Sequence, residues 1–366
     1  MTPSSPPLAG VRVIELAGVG PSRHCGLLLA QLGADVVLVQ RPGEAPRRAD
    51  SVMACGRRVI AVDLKAADGR NTILQLAQAA DILIDPYRPG VTERLGIGPE
   101  PCLERNPRLI YGRMTGWGQD GPLASTAGHD ICYIAITGVL HAMGRAGGPP
   151  QVPMNLLGDF AGGAMYLLIG LLAGLRHRDH VGQGMVIDAA IVDGTMSLAS
   201  FIFGLRGEGQ WSDERGVNIL DTGAPYYDVY QTADAKWVAV GAIEPQFFAA
   251  LLHGLAITEA PPQDDRTRWP ELRALLAAAF SRHTRDHWAS VFAGTDACVA
   301  PVLTFAEAAR HPHITARSTL RDDDGVLVPA AAPRFSTAIP SPPLPSLHTS
   351  ASAILAEWTR HRGPYR

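Results

Sequence analysis

The sequence has no surplus of positive charge: 32 Lys and Arg stand against 35 Asp and Glu, a formal net charge of −3. That balance excludes a general electrostatic grip on a nucleic-acid backbone. Cysteine is scarce, with five residues at 25, 55, 102, 132 and 298, an odd number without a Cys-x-x-Cys pair. They read as free thiols of a reducing compartment, and a cytoplasmic location is expected. No charged, then apolar, then small-residue pattern opens the chain, so no secretory signal is expected. Long apolar runs are also lacking. The longest, "FAGGAMYLLIGLLAGL" (160–175), lies between Asp159 and Arg176. It falls short of the roughly 20 residues that a bilayer requires. It reads as a buried helix, and no membrane partner is expected. What the chain does have is 366 residues, 46% of them hydrophobic, enough for a large core and two domains.

The first third alternates strand and helix patterns. "VRVIEL" (11–16), "ADVVLVQ" (34–40), "RVIAVDL" (58–64), "DILID" (81–85) and "RLIYGRM" (108–114) read as strands. Helices are expected over 20–33 and 69–80. Apolar strands alternating with helices form βαβ units and a parallel sheet covered on both faces. Ligands of such sheets bind outside the carboxyl ends of the strands. Helical stretches follow at 130–142 and 160–176, a strand at 182–190 and a helix at 191–205. "RGEGQWSDERG" (206–216) is a glycine-studded connection. A new unit then opens with a hairpin over 225–243, followed by helices at 245–256, 270–281 and 284–293. "TAIPSPPLPSLHTS" (337–350) reads as an extended linker before a short helix at 351–361.

A first strand, a glycine turn and a helix invite a dinucleotide reading, but the fingerprint is poor. "GVGPSRHCG" supplies Gly18 and Gly20, while Arg23 stands at the third glycine position. The second strand ends in Gln40-Arg41, where an NAD enzyme places an acid for the ribose. An arginine there suits a phosphorylated ribose, as in NADP or coenzyme A. Arg41, Lys65 and Arg88 follow successive strands, and Arg94 lies just beyond. Converging on one crevice, they favour an anionic ligand over a merely solvated surface.

Three acid–base residues share a local design. His129 follows Gly128 in "STAGHDICYIAITG" (125–138), Asp159 follows Gly158, and Glu244 precedes Pro245. Each stands at an expected helix start, so each reads alone as a cap. Two features favour chemistry instead. Gly158, Gly162 and Gly163 would open backbone amides at a helix start to a ligand, and His129 opens an apolar segment. Removing a proton beside a carbonyl needs a base, an acid and a stabilised enolate. A histidine, a carboxylate and a helix N-terminus supply these without a metal, and none is expected.

At these residues the chain resembles the α-methylacyl-CoA racemases of the family III CoA-transferase (CaiB/BaiF-type) superfamily. The resemblance runs from about Leu8 to Ser336. It is carried by "GVRVIELAGVGP", "LGADVVLVQRPG", "AVDLK", "DPYRPGVTERLGIGPE", "RLIYGRMTGWGQDGP", "AGHDICY", "NLLGDFAGG", "GAPYYDVY" and "VGAIEPQFF". It implies inversion of carbon 2 of a 2-methylacyl-CoA thioester by two-base proton transfer, within lipid metabolism. His129 and Asp159 would be the bases on opposite faces, and Glu244 would orient His129. Coenzyme A, part of the substrate and not a resident cofactor, would meet Arg41, Val62, Asp63, Leu64, Lys65, Pro86, Tyr87, Arg88, Arg94, Gly128, Asp130 and Tyr133. The implied fold is α/β: a large Rossmann-like domain with a parallel sheet plus a smaller α+β domain. The large domain would span 1–188, completed by the returning segment 322–366, with a linker at 189–222 and the small domain at 223–321. Two chains would form an interlocked homodimer, with the site between the large domain of one and the small domain of the other. Arg23, where a small residue or proline is expected, and Cys132, where racemases often have asparagine, depart from the pattern. A family III CoA-transferase with Asp159 as nucleophile is the alternative. A silent CoA-binding scaffold is a third reading, disfavoured because all three acid–base residues are present.

Overall fold

A computed structural model describes residues 5–43, 52–323, 325–336 and 347–360. Six strands, β1 (Arg12–Leu16), β2 (Asp35–Gln40), β3 (Arg58–Ala61), β4 (Ile82–Asp85), β5 (Ile110–Thr115) and β6 (Met185–Ala190), form a parallel sheet in the order β3-β2-β1-β4-β5-β6. A short strand, Leu347–His348, adds to β3, also in parallel. The central strands are runs such as Val-Val-Leu-Val and Ile-Leu-Ile, buried on both faces, which only a sheet covered on both sides can accommodate. One apolar layer gathers Ile14, Val37, Ile60, Leu83 and Tyr111 with Ile354 and Trp358 of the last described helix, Ala351–Arg360. The opposite layer gathers Val13, Leu29, Val36, Ile84 and Ile110 with Leu167 and Leu171. Strand order reverses beside β1, whose neighbours are β2 and β4, so a crevice opens at the carboxyl ends of these strands.

The chain divides into two units. The first comprises Met1–Thr137, Pro153–Ala199 and Ser318–Arg366; the second comprises Gly138–Val152 and Ser200–Arg317. In the second, β7 (Tyr227–Gln231), β8 (Trp237–Gly241) and β9 (Val299–Pro301) form an antiparallel sheet. Helices Pro245–Gly254, Trp269–Phe280 and Arg285–Phe292 cover it through Phe248, Leu272, Phe280 and Trp288.

Several expectations need correction. The strand expected over 58–64 ends at Ala61, because Asp63 accepts the Lys65 amide at 3.0 Å and turns the chain. The helix expected over 130–142 is two, Asp130–Ala135 and Val139–Ala142, broken at Gly138, which adopts φ +80°. Residues 138–152 segregate with the second unit, where Arg145 pairs with Asp228. The helix expected over 191–205 is two, Ile191–Leu198 and Ser200–Gly207. The apolar run at 160–175 belongs to a 26-residue helix, Leu156–Val181. By length and composition it could cross a bilayer, and only a third of its apolar window is buried, so it is not the wholly buried helix expected. Of the expected Pro/Ser-rich linker, 337–346 lies outside the described residues.

Candidate active site

The Gly-His-Asp turn sends neighbouring side chains opposite ways. His129 is the N-cap of Asp130–Ala135 in extended conformation, φ −131° and ψ 172°. Its carbonyl accepts from the Cys132 amide at 2.8 Å, so the backbone caps the helix and the imidazole makes no capping bond. The side chain is exposed. Asp130, one residue on, is buried. Tyr133 closes the turn from below, donating its hydroxyl to the Gly128 carbonyl and meeting Trp117 edge-on at 4.7 Å.

Asp159 lies in the first turn of Leu156–Met165, a stretch wound as a π-helix. The stretch continues into the α-helix Tyr166–Val181. The glycines here also serve packing. A Cβ on Gly162 would stand 2.5 Å from Thr195 Oγ1, and one on Gly194 would stand 1.8 Å from the Gly162 carbonyl oxygen. The π-helix and Ile191–Leu198 therefore cross backbone to backbone. The expected oxyanion cradle also loses one amide, because the Asp159 N–H donates to Asp130 Oδ2 at 2.6 Å. Burial raises the Asp159 pKa; a hydrogen bond from Asn155 Nδ2, 3.2 Å away, opposes it, the Asp130 charge adds to it, and His129 lowers it. Asn155 was missed in the sequence, although four residues upstream on a helix is the natural neighbour.

Two cavities meet here, sharing Val19 and Tyr87 on their walls. The smaller, about 300 Å³, is lined by His129 and Asp159 with Pro86, Arg88, Gly128 and Tyr133. The larger, about 900 Å³, sits at the carboxyl ends of β1, β2 and β3 and is lined by Arg23, Arg41, Val62, Leu64 and Phe160. Of the residues expected to hold coenzyme A, Arg41, Val62, Leu64, Pro86, Tyr87, Arg88, Gly128 and Tyr133 therefore share this crevice. Asp63, Lys65 and Arg94 do not reach either wall, and Asp130 lies beneath it. The convergence expected of four basic residues reduces to Arg41 and Arg88. The loop carrying Tyr87 and Arg88 is pinned by buried Asp85, which accepts from the Tyr87 amide at 2.9 Å, Thr92 Oγ1 at 2.7 Å and the Tyr111 hydroxyl at 3.2 Å.

Below the crevice, Glu15 of β1 pairs with Arg57 at 2.7 Å, both fully buried. Complete burial pushes Glu15 up to about 7 against the pull of Arg57 and Arg23. In the second unit, Glu244 is the exposed N-cap of Pro245–Gly254, and its carboxylate makes no capping bond. Capping therefore explains neither His129 nor Glu244. Among the described residues, no cluster of three His, Cys, Asp or Glu is placed to hold a metal ion.

Residues 8–349 match CoA-transferase family III. The chain is 45% identical over 339 residues to alpha-methylacyl-CoA racemase of Mus musculus, covering 91% of this chain and 88% of that one. It is 43% identical to alpha-methylacyl-CoA racemase of Homo sapiens, with the same coverage. Among solved structures, a CaiB/BaiF family protein from Brucella suis shares the fold, with TM-score 0.82, 24% identity, and 97% of this chain and 100% of that one covered.

Proposed function

The chain belongs to CoA-transferase family III, and from that premise we propose that it is a 2-methylacyl-CoA racemase working by two-base proton transfer. One observation carries the reading: His129 and Asp159, a free imidazole and a carboxylate of raised proton affinity, line one small cavity that shares Val19 and Tyr87 with the wall of a larger crevice suited to coenzyme A.

The chemistry follows from the groups. Carbon 2 of a thioester is weakly acidic, and its anion is an enolate. One base removes the proton from one face while the other, already protonated, returns one to the opposite face. A residue that must serve as both base and acid works best with a pKa near the working pH. Burial and Asp130 shift Asp159 in that direction. Arg41 and Arg88 suit the phosphates of the substrate, and Val62, Leu64 and Tyr87 give apolar contact for its adenosine and pantetheine parts.

Glu244 orients His129 from the second unit of a partner chain, in an interlocked dimer that works in the cytoplasm. Exposed apolar side chains support this association. In the first unit they include Ile169, 61% exposed, with Val181 and Leu198; in the second they include Phe201 and Phe203. Such residues on one subunit call for a covering surface.

The test is incubation of a single-epimer 2-methylacyl-CoA in heavy water. Both epimers should form, with deuterium at carbon 2. Transfer of coenzyme A to an added carboxylate, without deuterium entry, would instead make Asp159 a nucleophile and the chain a transferase.

A further inference from the structure

Asp130 contributes no surface to either cavity, yet it is held at the centre of the site. The residue is 7% exposed. Its Oδ2 accepts the Asp159 amide at 2.6 Å, while its Oδ1 is buried without a hydrogen-bond partner among the described residues. The chain beside it is shaped to fit: a Cβ on Gly158 would lie 2.4 Å from Asp130 Oδ2. The residue before Asp130 is His129, and the amide it holds belongs to Asp159. One carboxylate thus ties the start of Asp130–Ala135, which carries one base, to the π-helical turn that carries the other.

We propose that Asp130 is a positioning residue that sets the separation of His129 and Asp159 across the substrate carbon. The inference rests on the two-base reading above. An amide in the first turn of a helix would otherwise be satisfied by water or a cap, leaving the turn free to shift. A displacement of about 1 Å at a reacting group costs on the order of 10²-fold in rate. A residue in this role acts on kcat and leaves substrate affinity alone, whereas a coenzyme A contact acts on KM.

The experiment uses the full-length protein with a 2-methylacyl-CoA, following epimerisation and carbon-2 deuterium entry, with coenzyme A binding and thermal melting as controls. Asp130→Ala is expected to lower kcat by about 10²-fold while KM stays within about twofold. Asp130→Asn keeps an oxygen that can accept the Asp159 amide, and should recover to within about tenfold of the unsubstituted enzyme. Gly158→Ala displaces the carboxylate without removing it, so it should lower kcat at constant KM and keeps the test open should Asp130→Ala fail to fold. A raised KM with kcat unchanged would overturn the proposal. So would Asp130→Asn as inactive as Asp130→Ala in a folded, CoA-binding protein. If the unsubstituted enzyme gives no deuterium entry, the two-base reading fails, and that outcome is separable from any effect of Asp130.

Discussion

His129 and Asp130 are adjacent in sequence and opposite in environment, one exposed on the cavity wall and the other buried beneath it. His129→Ala should cut carbon-2 exchange by about 10²–10⁴-fold while coenzyme A binding changes by no more than about threefold, as measured by mass spectrometry and calorimetry. Equal loss of both would make the imidazole structural. Asp159 carries a pH signature. It can accept a proton only as the carboxylate, and its pKa is raised, so the acid limb of kcat/KM should lie above the ordinary 3.8. The same shift affects stability: the folded state holds the Asp159 proton more tightly than the unfolded state, so ionisation at high pH costs stability. Asp159→Asn should therefore be inactive yet melt higher than the unsubstituted protein at pH 8. That advantage should shrink as pH falls through the raised pKa.

At the scale of elements, the glycines and the buried ion pair decide how the site is built. The crossing of Leu156–Met165 with Ile191–Leu198 leaves no room for a methyl, since a Cβ on Gly194 would stand 1.8 Å from a backbone oxygen. Gly194→Ala should cost about 1–3 kcal/mol by denaturant titration, the usual penalty of overpacking, and should move Asp159 with its turn. Glu15 and Arg57 join β1 to the segment before β3 without exposure of either side chain. Arg57→Met would strand the carboxylate and should cost about 3–5 kcal/mol at pH 8. At pH 5.5 the cost should fall, because Glu15, already pushed up to about 7, can take a proton. A variant with the same loss at both pH values would show that Glu15 does not change its protonation between them.

The whole molecule has two units with separate cores, and the three acid–base residues are divided between them: His129 and Asp159 in the first, Glu244 in the second. The proposed interlocked dimer makes a sharp prediction. Chains with His129→Ala and chains with Glu244→Ala, each inactive alone, should recover about a quarter of full activity when co-expressed, because half the dimers are mixed and each contains one intact site. No recovery, in dimers shown to exchange, would place Glu244 and His129 in the same chain's site.

The parallel sheet, the crevice at its carboxyl edge and the placement of His129 and Asp159 on one cavity wall were legible in the sequence. Hydrophobic period and turn chemistry are local, and a parallel strand buried on both faces announces itself as an unbroken apolar run. The reasons behind individual residues were not legible. Gly162 and Gly194 make room for a crossing helix, Asp130 turns inward to a backbone amide 29 residues on, and Lys65 and Arg94 stay off the cavity walls. Each depends on what another part of the chain places nearby. Contacts between distant segments carry no period for a sequence to display, so tertiary packing alone decides them.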